Sequence, residues 1–196
     1  MYGHDFDDVN GNDIESYTVT MNNHIGQWQV MLNGIVAKDN QDNNPKYAES
    51  GLHALLAYHA SSFYGVSDGF SKTGMMVGHG LGAEVKNIGS DGKLTDDAKA
   101  VRFFSYGVTR LSDNWRIAPA LIAQYSKDQY AKNDKYVWVT ANVRLAQEFT
   151  DNFEMVYEGT YQYMDLDNAS DKAKGSFCKA TIAPTFKLST AAGFFD

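Results

Sequence analysis

The sequence has little cysteine and little proline, and it lacks both a long apolar run and an excess of basic residues. Its 196 residues include one cysteine and three prolines. A single cysteine excludes an internal disulfide and a thiolate metal cluster. No apolar run approaches the roughly 18 to 20 residues that a membrane-spanning helix requires. Seventeen basic against 24 acidic residues give a net charge of −7, which argues against nucleic acid as a partner.

Aromatic residues are abundant, and much of the chain alternates apolar with polar residues. The 12 tyrosines and 11 phenylalanines suit β-strands better than helices. Alternation with a period of two is clearest at 115–125, 137–145, 152–165 and 178–186, and it predicts strands there. Weaker alternation predicts earlier strands at 14–24, 28–37, 49–63, 70–85 and 99–111. The total is about nine strands.

Short and long connections between these strands alternate along the chain. The short turns are predicted at 26–27, 66–69, 112–114 and 150–152, and the long polar loops at 38–48, 86–98, 127–135 and 165–174. An up-and-down meander then has every short turn at one end, as outer-membrane barrels do with their periplasmic turns and extracellular loops. A soluble β-domain that binds carbohydrate would show the same strand alternation, as would a small barrel of about eight strands. Both alternatives remain open.

Several aromatic residues lie near the predicted strand ends. In a membrane barrel such rings form a girdle at the level of the lipid headgroups. In a soluble sheet they would be half-buried strand residues. The residues concerned are Trp115, Tyr125, Tyr136, Phe153, Tyr161 and Tyr163.

Three segments carry a resemblance to a known family. They are DNFEMVYEGTYQYMDLDN at 151–168, GSFCKATIAPTFK at 175–187 and SDGF at 67–70. Together they resemble the maltoporin and sucrose-porin family of carbohydrate-specific outer-membrane porins. The stretches YEGTYQYMDL and APTFK, followed by Gly193-Phe194-Phe195, are closest to the sucrose-porin branch.

This resemblance implies an all-β, antiparallel up-and-down transmembrane β-barrel of 18 strands, assembled as a homotrimer in the bacterial outer membrane. Such a porin lets sucrose-like or maltose-like di- and oligosaccharides diffuse passively along an aromatic slide. With about nine strands, residues 1–196 would form a single partial barrel domain, an internal fragment of about half the barrel. A missing signal peptide, an odd strand count and the end at Asp196 agree with that expectation. The partners implied are sugars and outer-membrane lipid.

The resemblance places two sugar-binding rings in this chain, Phe70 and Phe195. The apolar C–H face of a pyranose packs on such rings while its hydroxyls bind polar neighbours. The other slide rings, the polar track and the constriction loop are expected outside the chain. Residues on the polar side of the strands either line the channel or form only a solvated surface. They are Arg116, Arg144, Glu154, Glu158 and Lys179.

The sequence contains no pattern that indicates an enzyme, a cofactor or a metal site. The five histidines, at positions 4, 24, 53, 59 and 79, form no ligand pair. The Asp- and Asn-rich stretch 5–13 departs from calcium-loop spacing and is predicted to be a solvated loop. Glu154 and Glu158 would lie about 13 Å apart on a strand, which is too far for a glycosidase pair. We therefore expect no catalytic activity.

Overall fold

The computed structural model describes residues 2–9, 12–38, 47–85, 94–129, 131–167 and 172–186. These ranges contain ten β-strands and a 3₁₀-helix, Leu81–Glu84. The strands are β1 (Tyr2–Val9), β2 (Asn12–Ile25), β3 (Trp28–Lys38), β4 (Ser50–Ala60), β5 (Phe70–Gly80), β6 (Lys99–Ser112), β7 (Trp115–Lys127), β8 (Lys135–Thr150), β9 (Phe153–Asp167) and β10 (Lys172–Phe186). No helix in the described ranges is long and apolar enough to cross a membrane.

The ten strands form one antiparallel sheet in which each strand pairs with the next along the chain. This up-and-down order confirms the predicted all-β class and meander. Consecutive pairing is the expected outcome where strands are joined by short hairpins. Within the described residues β1 and β10 pair on one side only, so the sheet is open.

The N-terminal region differs from the prediction. The stretch 5–13 was expected to be a solvated loop, but β1 pairs with β2 from Tyr2 to Val9, with Phe6 opposite Glu15. Asp and Asn disfavour strands only weakly, and pairing with a neighbouring strand overrides that preference. The loop prediction was wrong, and β1 makes ten strands rather than nine.

The connections at one end of the meander are mostly short. Two-residue turns at 26–27, 113–114 and 151–152 join β2 to β3, β6 to β7 and β8 to β9. The turn predicted at 66–69 is instead a nine-residue connection, 61–69, because β4 ends at Ala60. The pairing of Phe63 with Ser67 gives this connection a small bridge of its own.

The connections at the other end are unequal in length. Those at 39–49, 81–98 and 128–134 span more residues than those at 10–11 and 168–171. A long loop was predicted at 165–174, but β9 and β10 remain paired as far as Asp167 and Lys172. The Lys172 ammonium lies 3.2 Å from the Asp167 carboxylate, and Lys174 lies 3.3 Å from Asp165. These cross-strand ion pairs stabilise residues that look like loop in the sequence.

The connection between β5 and β6 folds back against one face of the sheet. Its described parts, 81–85 and 94–98, are called the inward segment below. Leu94 and Val85 are fully buried, and they pack with residues of β3, β4 and β5. The backbone N–H of Ala48 donates to the carbonyl of Leu94 at 2.6 Å. Strand β5 therefore ends earlier than the predicted 70–85, and 94–98 is not the solvated loop expected there, because its apolar residues join a core.

Glycines allow this close packing. Gly80 has φ of 56°, in the left-handed region, where the chain leaves β5 for the 3₁₀-helix. A Cβ on Gly78 would overlap the backbone carbonyl of Gly82 and would lie 3.0 Å from Cα of Ala83. The alternating glycines that weaken the strand pattern in the sequence thus mark where the inward segment contacts the sheet.

Candidate functional site

The register of the sheet separates two faces, because residues opposite each other on antiparallel strands point to the same side. One face, called the apolar face below, is continuous across the sheet from β2 to β8. A single row of paired residues illustrates it: Met21, Leu32, Ala54, Val77, Val101, Tyr125 and Val137. Leu32 is 52% exposed and Leu52 is 70% exposed.

The exposure of the apolar face excludes a sandwich in the described residues. Large side chains such as Met21, Phe103 and Ile182 are exposed rather than packed against a second sheet. An exposed apolar surface that spans the sheet exceeds what a soluble monomer presents to water. Its chemistry matches the hydrocarbon of a bilayer, with which the outward residues of a membrane barrel are in contact.

Aromatic pairs lie on the apolar face at the end with the short turns. Trp28 and Tyr58 have ring centroids 5.0 Å apart, and Trp115 stacks on Tyr157 at 6.1 Å. Phe153 has neighbouring rings on both sides, at 5.7 and 4.9 Å. Tyr136 lies on the other face, opposite Leu166, and is half-buried, so of its two interpretations the girdle does not hold.

The second face, called the polar face below, carries a network of charged and polar side chains on β7 to β10. Arg116 donates to Glu154 at 2.5 Å and lies 3.1 Å from Glu148. Arg144 donates to Glu158 through two nitrogens, at 3.0 and 2.9 Å. Four of the five residues predicted for this side therefore pair with carboxylates or guanidinium groups.

The fifth predicted residue, Lys179, is exposed on the same face opposite Thr160. The nearby Asn142 amide donates to the Thr160 hydroxyl at 2.8 Å. With Glu148, the polar face of β7 to β10 thus holds three cations and three carboxylates among the described residues. These groups largely compensate one another, so this part of the polar face has little net charge.

A cavity of about 640 Å³ opens on the polar face and is lined by residues of β2 to β7. Its polar and aromatic lining includes Asn22, Gln29, Lys72, Arg102, Phe104 and Tyr106. The Lys72 ammonium donates to the Gln29 amide oxygen at 2.7 Å and lies 5.9 Å from the centre of the Phe104 ring. Gln29 in turn donates to the Asn22 oxygen at 2.9 Å.

Phe70, the first of the two predicted sugar-binding rings, begins a run of rings along this face. Its ring meets Tyr106 edge-to-face with centroids 6.3 Å apart. Tyr106 stacks on Phe104 at 6.3 Å with the ring planes 26° apart. The run leads from the start of β5 to the cavity, since Tyr106 and Phe104 line it. Phe195, the second predicted ring, lies outside the described residues.

The comparison with known families bears on this arrangement. The family model described as LamB porin matches residues 3–196 of the chain. The chain belongs to the LamB porin family. LamB porins are carbohydrate-selective, passive channels of the bacterial outer membrane. This LamB porin is therefore a transport protein and not an enzyme, and a soluble carbohydrate-binding domain is not favoured.

Two features of this LamB porin were missed from the sequence. The inward segment covers part of the polar face, whereas its residues were predicted as the end of a strand and a solvated loop. Lys72 and Arg102 were not singled out, because alternation in 70–85 and 99–111 is interrupted by glycine and aromatic residues. These two cations could have been found from the sequence, because β3 to β6 contain no Asp or Glu to pair with them. Within the described ranges, no three His, Cys, Asp or Glu side chains are grouped as a metal site.

Proposed function

We propose that the polar face guides di- and oligosaccharides by passive diffusion, with Phe70 as one ring of an aromatic slide. The observation that carries this proposal is the run of rings from Phe70 through Tyr106 to Phe104, which ends at the cavity. Rings in series offer a pyranose repeated weak contacts with its C–H face. Weak, repeated sites favour movement through a channel because no single site traps the sugar.

Polar side chains beside the rings supply the partners for sugar hydroxyls. Gln29 and Asn22 have amide groups that donate and accept hydrogen bonds, and both line the cavity with the rings. The paired charges on β7 to β10 offer further donors and acceptors across the polar face. An apolar ring surface next to fixed polar groups is the usual chemistry of a carbohydrate site.

The inward segment is proposed to narrow the channel. It rests on β3, β4 and β5 through buried apolar residues, so it occupies space on the polar face that a wide pore would leave to water. The Gln129 amide donates to the carbonyl of Ala83 at 2.9 Å and ties the segment to the β7–β8 connection. A segment held from two sides would give the passage a fixed width.

We further propose that the strands described here form part of an 18-stranded barrel, as the resemblance implies. The unpaired edges of β1 and β10 would be costly in hydrocarbon, where each unsatisfied backbone group costs several kcal/mol, so further strands would pair there. The resemblance alone supports the homotrimer, the sucrose-porin branch, Phe195 as a slide ring and the extracellular position of the longer connections. It also supports sucrose-like or maltose-like substrates.

The slide proposal is tested by replacing single rings in the intact porin and measuring sugar block of ion current in planar bilayers. Phe70→Ala should raise the half-blocking sugar concentration about fivefold, since stacking with one ring contributes about 1 kcal/mol. Phe103→Ala is the matched control, because Phe103 is an exposed ring on the apolar face of β6. The same measurement on Phe195→Ala tests the second ring. Unchanged sugar block in both Phe70→Ala and Phe195→Ala would remove the site assignment.

A further inference from the structure

The cations of the polar face are unevenly distributed. Strands β3 to β6 place Lys72, Arg102 and Arg110 on this face, and these strands contain no Asp or Glu. The polar face of β7 to β10, by contrast, has equal numbers of cations and carboxylates. Two of these three cations, Lys72 and Arg102, line the cavity, whereas Arg110 lies at a separate cavity with Asp68 and Arg116.

Of the two cations that line the cavity, Arg102 is largely engaged by the protein. Its guanidinium donates to the Gln124 amide oxygen at 2.9 and 2.6 Å and lies 5.9 Å from the Trp138 ring. It also donates to the backbone carbonyl of Glu84 at 3.4 Å. Arg102 is therefore poorly placed to bind a ligand.

Lys72 is different. Among the described residues no carboxylate lies within ion-pair distance of its ammonium, and its hydrogen-bond partner is Gln29. An ammonium group has three N–H donors, so two remain for a ligand. The imidazole of His59, opposite Lys72 in the register, also contacts the Gln29 oxygen, at 3.3 Å. The oxygen of Gln29 is thus shared between Lys72 and His59.

An ammonium group without a carboxylate partner suits an anion better than a neutral hydroxyl, because the hydrogen bond between two charged groups is the stronger one. Tyr106 lies opposite Lys72 on β6, and Phe104 lies one pair further along the same face. A cationic group and a flat apolar surface therefore lie side by side in the cavity. We propose that this part of the cavity binds an acidic sugar, with its ring on Tyr106 and Phe104 and its carboxylate or phosphate at the Lys72 ammonium.

This inference rests on the proposed sugar channel and names a substrate class for it. The intact porin is tested in planar bilayers at low salt by current block with glucose, glucuronate, glucose 6-phosphate and inorganic phosphate. Glucuronate or glucose 6-phosphate should half-block at about five- to tenfold lower concentration than glucose, as a charge-assisted hydrogen bond in a hydrated site allows. A preference for only one of the two acidic sugars identifies the anionic group as carboxylate or phosphate.

Variants assign the effect to Lys72. Lys72→Gln should reduce the preference for the acidic sugar over glucose to about one, whereas Lys72→Arg should retain it. Lys179→Gln is the matched control, because it removes a cation from the same face on β10 and should preserve the preference.

Four results would overturn the inference: no preference in the unaltered porin, a preference that Lys72→Gln leaves intact, a preference that Lys179→Gln abolishes equally, or inorganic phosphate blocking as well as glucose 6-phosphate. If glucose blocks but the acidic sugars are no better, only this inference fails. If no sugar blocks at all, the proposed function fails as well.

Discussion

Replacing Gly78 by alanine tests whether the inward segment rests directly on β5. The added Cβ would overlap the carbonyl of Gly82, and the segment cannot simply move away because Gly82 is itself against the backbone of Leu52 and His53. Forcing a methyl group into such a contact typically costs about 1–3 kcal/mol. Gly78→Ala should lower the free energy of unfolding by that amount.

Gly159→Ala is a close control for this substitution. Gly159 also lies inside a strand, β9, and a Cβ there would meet nothing within 4 Å. Both changes restrict the unfolded chain equally, so the contribution of about 0.4–1 kcal/mol from that source cancels in the comparison. The difference between the two variants then measures the overlap with the inward segment.

The assay is the denaturant midpoint of the intact porin, followed by the shift between folded and unfolded forms on a gel, together with single-channel conductance. Gly78→Ala should unfold at lower denaturant concentration than Gly159→Ala, and displacement of the inward segment should raise its conductance. Equal midpoints and equal conductance in the two variants would show that the inward segment does not contact β5 as described.

Two further substitutions test the assignment of the faces. Arg116→Met should lower the free energy of unfolding in denaturant by about 3 kcal/mol, because it removes the cation that pairs with the buried Glu154. Arg144→Met should lower it by less than about 1 kcal/mol, because the Arg144 side chain is 44% exposed, and equal losses would contradict this difference in burial. Leu32→Lys should destabilise the porin in bilayers by about 2–4 kcal/mol and Gln162→Lys by much less, because only Leu32→Lys puts a charge into lipid. A larger loss for Gln162→Lys would show that the polar face, and not the apolar face, contacts lipid.

Much of the sheet could be predicted from the sequence because a period of two is a local signal. In β7 to β10 the register places the five charged residues predicted for the polar side on one face, although apolar residues such as Ile122 and Trp138 share that face. Strand ends were less predictable, since the pairing of Lys172 with Asp167 depends on a partner that the local sequence does not reveal. The strand β1 was missed for the same reason.

The candidate site was predicted only in part, because it depends on contacts between distant segments. Phe70 was identified from a resemblance, but its position beside Tyr106 follows from the register of β5 with β6. The inward segment could not be predicted because Leu94 packs on residues some 40 to 60 positions away, such as Leu55 and Met31. In the sequence its glycines only indicate a weak strand, because the backbone that packs against them comes from other segments.

The balanced charges of β7 to β10 have a consequence for how this protein could diversify. Arg116 and Arg144 are each paired with a glutamate on the polar face, so in the proposed channel this half of the lining would stiffen the passage without imposing an electrical preference on solutes. Preference among solutes can then be adjusted at one or two positions on the other half, such as Lys72, without disturbing the pairs that hold the wall together.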